Sequence, residues 1–256
     1  MADIIAHPGR RPRFPLRRAG RQLLSRLASA MGCDCPLCGA RVRGARLCAG
    51  CEADVTRSCR EPGARCPRCA QRLRQPAPLC AGCLGRPPAY LRAIVAFDYE
   101  PPGVALISQL KTRLRLSLAP VLARLLGAAV AREAPLPADA VLAAVPASRA
   151  SLRRRGMNPA MEIARSLAEA LDLPLRHGAL LRLRETPRQA GLGRRERRAG
   201  LAGVFRGQGV RGRHVALVDD VMTTGSTAEA AARALLAAGA LSVTVLAVAR
   251  TPGRGS

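Results

Sequence analysis

Two adjacent carboxylates, Asp219 and Asp220, stand just before Thr223, Thr224, Gly225, Ser226 and Thr227. The hydroxyls and closely spaced N–H groups of that second run can cradle a phosphate, and the glycine lets backbone approach it closely. Val215 to Val218 is an apolar run that reads as a buried strand ending at the acids. Ala228 to Ala238 opens a helix whose positive end would face the anion. Two acids beside a phosphate repel it unless they serve something else, and the hydroxyls of a ribose or a magnesium ion are partners that suit them. The chemistry implied is the holding of a phosphorylated sugar. A plain strand-to-helix turn with a hydroxyl cap uses similar residue types, but it does not require the whole order VALVDDVMTTGST over residues 215–227.

A second set of reactive side chains lies upstream. Eight of ten cysteines fall in CxxC pairs: Cys35/Cys38, Cys48/Cys51, Cys66/Cys69 and Cys80/Cys83. The N-terminus lacks a compact hydrophobic segment with a small-residue cleavage site, so an export signal and disulfides are not expected, and metal ligation by thiolates is. The Cys-Pro-x-Cys turns aim two sulfurs at one ion, and each precedes a Cys-Ala-Gly-Cys at hairpin distance. The assignment is Cys35, Cys38, Cys48 and Cys51 to one zinc, and Cys66, Cys69, Cys80 and Cys83 to another; spacing alone leaves a crossed pairing open. Cys33 and Cys59 fall outside the pattern as free thiols. A redox pair fits poorly, because such pairs usually come singly on a βα unit.

Elements must hold these groups in place. Residues 1–32 are Arg- and Pro-rich and read as a disordered basic tail, with a short amphipathic stretch over Leu16 to Leu27 whose alternative is a helix touching acidic membrane or nucleic acid. Residues 33–89 are too poor in large apolar side chains to build a core without a staple, which two metal sites would supply. From residue 90 to 252 strands and helices alternate. Strands are expected over Ala93–Phe97, Val141–Val145, Leu173–Leu175, Val215–Val218 and Val243–Val248, and helices over Val104–Leu110, Leu116–Ala131, Pro159–Leu171 and Thr227–Ala238. That order implies an α/β fold with a parallel sheet and ligands at the carboxyl ends of its strands. A basic loop follows Pro146, and residues 184–203 read as a mobile arginine-rich loop. No apolar run approaches the ~18 residues of a membrane span, and the expected location is cytoplasmic. The formal net charge is +25, with a single lysine, Lys111. Such a field favours phosphates, pyrophosphate and polyanions, although a solvated basic surface gives the same composition.

The VDDVMTTGST segment resembles the phosphoribosyl-pyrophosphate (PRPP) loop of type I phosphoribosyltransferases. The whole order of ribbon cysteines, Phe97-Asp98-Tyr99-Glu100, Lys111, Arg153-Arg154-Arg155-Gly156-Met157-Asn158, the run Thr186, Gln189, Gly191, Leu192 and Arg197, and then the PRPP loop resembles the ComF family. The resemblance covers residues 33 to about 251. It implies a double zinc ribbon followed by a type I phosphoribosyltransferase-like parallel sheet with a helical hood. It also implies a place in competence, the uptake and handling of single-stranded DNA in natural transformation.

By the same resemblance, Asp219 and Asp220 are the catalytic acids that hold the ribose diol, and Thr223 to Thr227 hold the 5′-phosphate. Magnesium would accompany PRPP, and Arg149 with Arg153, Arg154 and Arg155 would receive pyrophosphate. Arg184 to Arg198 would fold over the site as a lid, and Lys111 is placed either near the site or on the surface. Tyr99 is a candidate to stack on a base. Met157 stands where the family commonly has Phe, Pro159 where it has Gln, Ser148 where His is frequent and Gly200 where Asn is expected. These departures bear on turnover more than on binding, and no acceptor base is legible. The alternative function is a non-catalytic accessory protein that grips single-stranded nucleic acid through its basic surface and ribbons. Such a protein would meet a partner such as a competence helicase or DNA-processing protein.

Overall fold

The computed structural model describes residues 31–60, 65–133, 135–185, 201 and 203–253. The basic segment 1–32 therefore falls almost wholly outside the described residues, and so do positions 186–200 with Thr186, Gln189, Gly191, Leu192, Arg197 and Gly200.

The centre is a parallel sheet of four strands, β3 (Arg92–Asp98), β4 (Val141–Ala144), β7 (His214–Met222) and β8 (Ser242–Arg250), in the order β3-β8-β7-β4. The strands read as nearly unbroken apolar runs because both faces are covered. On one face lie α3 (Gly103–Thr112), α4 (Leu118–Glu133) and α6 (Pro159–Leu171), whose Leu106, Leu122 and Ile163 are fully buried with Ile94 and Val218. On the other lies α7 (Ser226–Ala237), packed through Ala231 and Leu235 with Val215, Val243 and Val245. The result is the parallel α/β sheet of the phosphoribosyltransferase type, with a helical layer over β3.

Local sequence explains the boundaries. α3 buries Gly103, Leu106, Ile107 and Leu110, a three-and-four spacing that leaves Lys111 beside the buried stripe near the helix end. α6 starts at Pro159 because Asn158 Oδ1 caps the N–H of Ala160 at 3.2 Å. The same side chain donates from Nδ2 to the Val145 carbonyl at 3.0 Å and so ties α6 to the end of β4. Leu173–Leu175 contributes only an isolated parallel bridge, Leu175 to Leu142.

Two parts of the fold depart from the expectation. The stretch after Pro146 is not a loop but a short helix, α5 (Arg149–Arg155). It is fixed by its ends rather than by apolar periodicity. Ser148 Oγ accepts the N–H of Ser151 at 3.1 Å, and Gly156 closes the helix at φ +71°. An antiparallel pair, β5 (Leu180–Arg182) with β6 (Phe205–Gly207), brings together the two ends of the arginine-rich segment. Arg182 lies 5.5 Å over the Phe205 ring.

The cysteine-rich region straddles the β3 edge. Its first half is β1 (Gly32–Asp34) paired with β2 (Arg41–Arg43), then α1 (Ala49–Thr56) and a 3₁₀ turn at Arg57–Cys59. Its second half is largely turns, with α2 (Ala81–Gly85). Cys35, Leu47 and Val55 join the core on the α3/α4 face, and Cys66, Cys69 and Cys83 join the core on the α7 face. The N–H of Ala93 in the edge strand donates to the Arg68 carbonyl at 2.9 Å, so a ribbon turn covers an otherwise open edge. No described helix is long and apolar enough to cross a membrane.

Candidate functional site

β7 carries its ladder with β8 as far as Met222, so Asp219 and Asp220 lie inside the strand rather than just beyond it. Each carboxylate accepts the next backbone N–H: Asp220 N–H donates to Asp219 Oδ1 at 2.9 Å, and Val221 N–H donates to Asp220 Oδ1 at 2.7 Å. Lys111 Nζ meets Asp220 Oδ2 at 2.6 Å, and both side chains are mostly buried, at 19% and 16% exposure. The lone lysine thus comes from the helical hood to the acid pair. Burial, and then the Asp220 charge, push the Asp219 carboxyl well above the ordinary range, against the pull of the Asp220 N–H and of Lys111. Asp219 keeps some solvent-exposed surface, yet protein atoms crowd around it, and the crowding governs its proton affinity.

The loop turns on Gly225, which caps α7 at φ +78°. A Cβ there would lie 2.8 Å from Met222 Cε, so the position excludes side chains on two counts. Thr224 Oγ1 and Ser226 Oγ are 2.9 Å apart and satisfy each other. Ser226 is buried, Thr223 is exposed, and Thr224 and Thr227 are part-buried. Among the described residues, the N–H groups of Thr223, Thr224 and Gly225 donate to nothing else. Three consecutive unpaired amides at a helix N-terminus are an arrangement that suits an anion.

Arg153 and Arg154 are exposed and Arg155 is half-buried in the last turn of α5. That helix leaves β4 where the N–H of Val145 donates to the Val218 carbonyl at 2.9 Å, one residue before the acids. Among the described residues, the cation paired with the acids is Lys111 and not an arginine. The N–H of Arg149 donates to Glu185 Oε1 at 2.8 Å, which brings the start of the arginine-rich segment to α5. Tyr99, the candidate for base stacking, packs against the core from its margin, and its neighbour Phe97 is fully buried.

The cysteines gather as Cys35, Cys38, Cys48 and Cys51, and as Cys66, Cys69, Cys80 and Cys83, with the sulfurs of each group within 4.8 Å of one another. The crossed pairing is therefore excluded by position. The Cys38–Cys48 and Cys69–Cys80 sulfur separations are both 3.6 Å. A tetrahedron with metal–sulfur bonds of ~2.3 Å has an edge of ~3.8 Å, so the donor sets fit zinc. Burial raises the Cys35 thiol, but N–H groups of Cys48, Cys38 and Leu37 outweigh it and draw the thiol down to about 6. Cys66 is drawn to about 7 by the same opposition, with the N–H of Cys80 at 3.4 Å from its sulfur. Such amide-facing sulfurs are disposed to be thiolates, the ligating form. Cys51 and Cys83 are pushed up by burial and by the sulfurs around them, as expected of anions crowded at one point. Cys33 and Cys59 lie outside both groups.

Sequence reasoning missed Arg250. Its signal was a charge closing the apolar run of β8, and the structure buries it to 1% exposure behind the loop. Its guanidinium donates to the carbonyls of Cys69, Met222 and Thr223. Asp98 was also passed over as a structural residue. It is buried at the end of β3 and paired with Arg65 at 2.8 Å, which links that strand to the second half of the ribbon region.

A phosphoribosyl transferase domain family matches residues 150–255, the part of the chain that holds α5, the acids and the loop. The chain is 36% identical over 199 residues to the DNA utilization protein YhgH of Salmonella typhi, covering 76% of this chain and 88% of that protein. The YhgH protein of Escherichia coli strain K12 is 35% identical over 200 residues, covering 77% and 88%. Competence protein F of Haemophilus influenzae is 30% identical over 211 residues, covering 80% and 90%. These alignments are too long to be confined to the β7–α7 loop and the sheet around it, and they take in cysteine-rich sequence as well. The chain belongs to the ComF/competence protein F family.

Proposed function

We propose that this protein binds PRPP or a related ribose phosphate at the β7–α7 loop and works inside the cell in the handling of incoming DNA. The observation that carries the reading is the pairing of three unengaged amides at Thr223, Thr224 and Gly225 with an acid pair whose charge is partly met by Lys111. The amides suit the 5′-phosphate, and Asp219 and Asp220 suit the two ribose hydroxyls as acceptors. Arg153, Arg154 and Arg155 offer forked donors for a pyrophosphate group at the neighbouring strand end. The carboxylates are the groups that would hold a magnesium ion, which would supply charge neutralisation at the pyrophosphate. The protein's own work is then positioning and charge stabilisation, with Lys111 holding Asp220 in place until ligand arrives.

Its relatives are DNA utilization and competence proteins, and its net charge is +25, both of which support a role in DNA handling. Exposed Arg153 and Arg154 favour backbone contact with a single strand. The two cysteine groups supply structural zinc sites, and the ribbon surface would meet a DNA-processing partner.

The test is titration of PRPP, with and without magnesium, into the wild type and into Asp219→Asn/Asp220→Asn. A rise of ~100-fold or more in Kd for the double variant is expected when two such charge-assisted contacts are lost. Absence of PRPP binding in the wild type, with salt-sensitive single-strand affinity intact, would replace this reading by the non-catalytic accessory one.

A further inference from the structure

β8 ends in a charge that solvent does not reach. Arg250 is 1% exposed, and a guanidinium removed from water needs its donors met. At Nε and Nη1 they are met by backbone carbonyls. Nε donates to Cys69 at 3.2 Å, and Nη1 donates to Met222 at 2.9 Å, to Thr251 at 3.4 Å and, in a shorter contact, to Thr223. Cys69 belongs to the second cysteine group, Met222 ends β7, and Thr223 begins the loop.

We propose that Arg250 is a positioning residue for the phosphate loop, and that through it the second cysteine group sets the readiness of that loop to take a sugar phosphate. This rests on the reading of the β7–α7 loop as a sugar-phosphate site. Across a planar trans peptide the carbonyl of one residue and the N–H of the next point in opposite directions. Drawing the Met222 and Thr223 carbonyls onto the guanidinium therefore turns the Thr223 and Thr224 N–H groups away from it. Those are two of the three amides left free for an anion. Arginine suits this task because its flat fork reaches several acceptors at once and keeps its charge; a lysine is a point donor that cannot span them.

Independent contacts join the same two regions. The N–H of Ala89 donates to Glu229 Oε2 at 2.7 Å, in the first turn of α7. Tyr90 is buried at 3% exposure, and its hydroxyl lies 3.6 Å from where a Cβ on Gly225 would stand. A cavity of about 30 Å³ lined by Cys69, Cys80, Tyr90, Gly225 and Arg250 is the space between them, room for about one water. The first cysteine group has none of these ties among the described residues. Its one buried cysteine, Cys35, belongs to the core with Ile94 and Leu106 on the opposite face of the sheet.

The experiment follows amide exchange at Thr251 and Glu229 in the full chain without ligand, since their N–H groups donate to the Met222 and Gly225 carbonyls of the loop. Titration with PRPP and magnesium runs alongside it. In Arg250→Lys, and separately in Cys69→Ser, exchange at both amides is expected to quicken at least 10-fold and PRPP to bind at least 10-fold more weakly. In Cys38→Ser, which alters only the first group, PRPP affinity and the exchange of these two amides relative to the core-strand amides of β8 are expected to stay at wild-type values. Wild-type exchange in Arg250→Lys and Cys69→Ser, or equal loosening in Cys38→Ser, overturns the proposal. If the wild type binds no PRPP, the sugar-phosphate reading fails, and the link between cysteine group and loop is judged on exchange alone. Should Arg250→Lys not fold, a chelator added to Cys38→Ser decides the question. Loop protection lost in step with metal release sustains the link, and protection that survives metal release overturns it.

Discussion

The two cysteine groups are near-copies in sequence, each a Cys-Pro-x-Cys turn followed by Cys-Ala-Gly-Cys, and they occupy unlike surroundings. In the first, Cys35 is buried, Cys48 and Cys51 are half-buried, and Cys38 is exposed. In the second, Cys66, Cys69 and Cys83 are all buried, and only Cys80 keeps appreciable surface. The first leans on the α3/α4 layer through a few side chains. The second is built into the α7 face and is joined to the β7–α7 loop through the Arg250 side chain. Duplicated chemistry need not mean duplicated duty: what a metal knuckle does for the rest of the chain depends on which surface its turn is pressed against.

Three outcomes test that contrast. The largest effect is expected from removing one ligand of each group. Cys69→Ser should lower the unfolding free energy by about 4 kcal/mol or more, because the loosened knuckle lies within the core. Cys38→Ser should cost roughly half as much, with zinc falling to about one per chain in either variant. Calorimetry with metal analysis measures both, and equal costs would erase the distinction. A smaller effect is expected from the polar contacts around each group. Glu229→Ala removes the acceptor of the part-buried Ala89 N–H and should cost about 1–2 kcal/mol. Arg57→Ala breaks the exposed Arg57–Asp54 pair beside the first group, at 74% and 54% exposure, and should cost less than about 0.5 kcal/mol in denaturant unfolding.

The smallest effect concerns pH. The folded protein holds the Asp219 carboxyl above its unfolded value, so the folded state binds the proton more tightly. Stability of the unliganded protein therefore falls as pH rises from the ordinary carboxylate range through the raised value. Asp219→Asn should remove that slope. It should melt slightly higher than the wild type above this range and match it below, while losing PRPP affinity. Superimposable melting curves across pH would mean that strain at the acids is not part of the loop's design.

Where the chain announces itself in its residues, the sequence was readable. α6 begins and ends at Pro159 and Leu171 as its cap and apolar spacing require. The four CxxC pairs form the two groups that their order suggests. β7 was underestimated by four residues at its acidic end because its length is decided by the partner strand β8, which local pattern does not reveal. α5 has no apolar face to advertise it, only Ser148 and Gly156 at its ends. β5 and β6 are three residues each and exist as a pair, far apart in sequence. Arg250 was hidden for a similar reason. Its partners come from Cys69 and from the end of β7, and only the folded sheet places them around one side chain.

The pairing of Leu180–Arg182 with Phe205–Gly207 has a practical consequence. Gly207 lies so near α7 that a Cβ would meet the Ala234 carbonyl oxygen at 2.5 Å, so the clasp is seated on a rigid helix. A bulkier residue at position 207 would therefore lift the clasp off that helix and shift Leu180–Arg182 along with it.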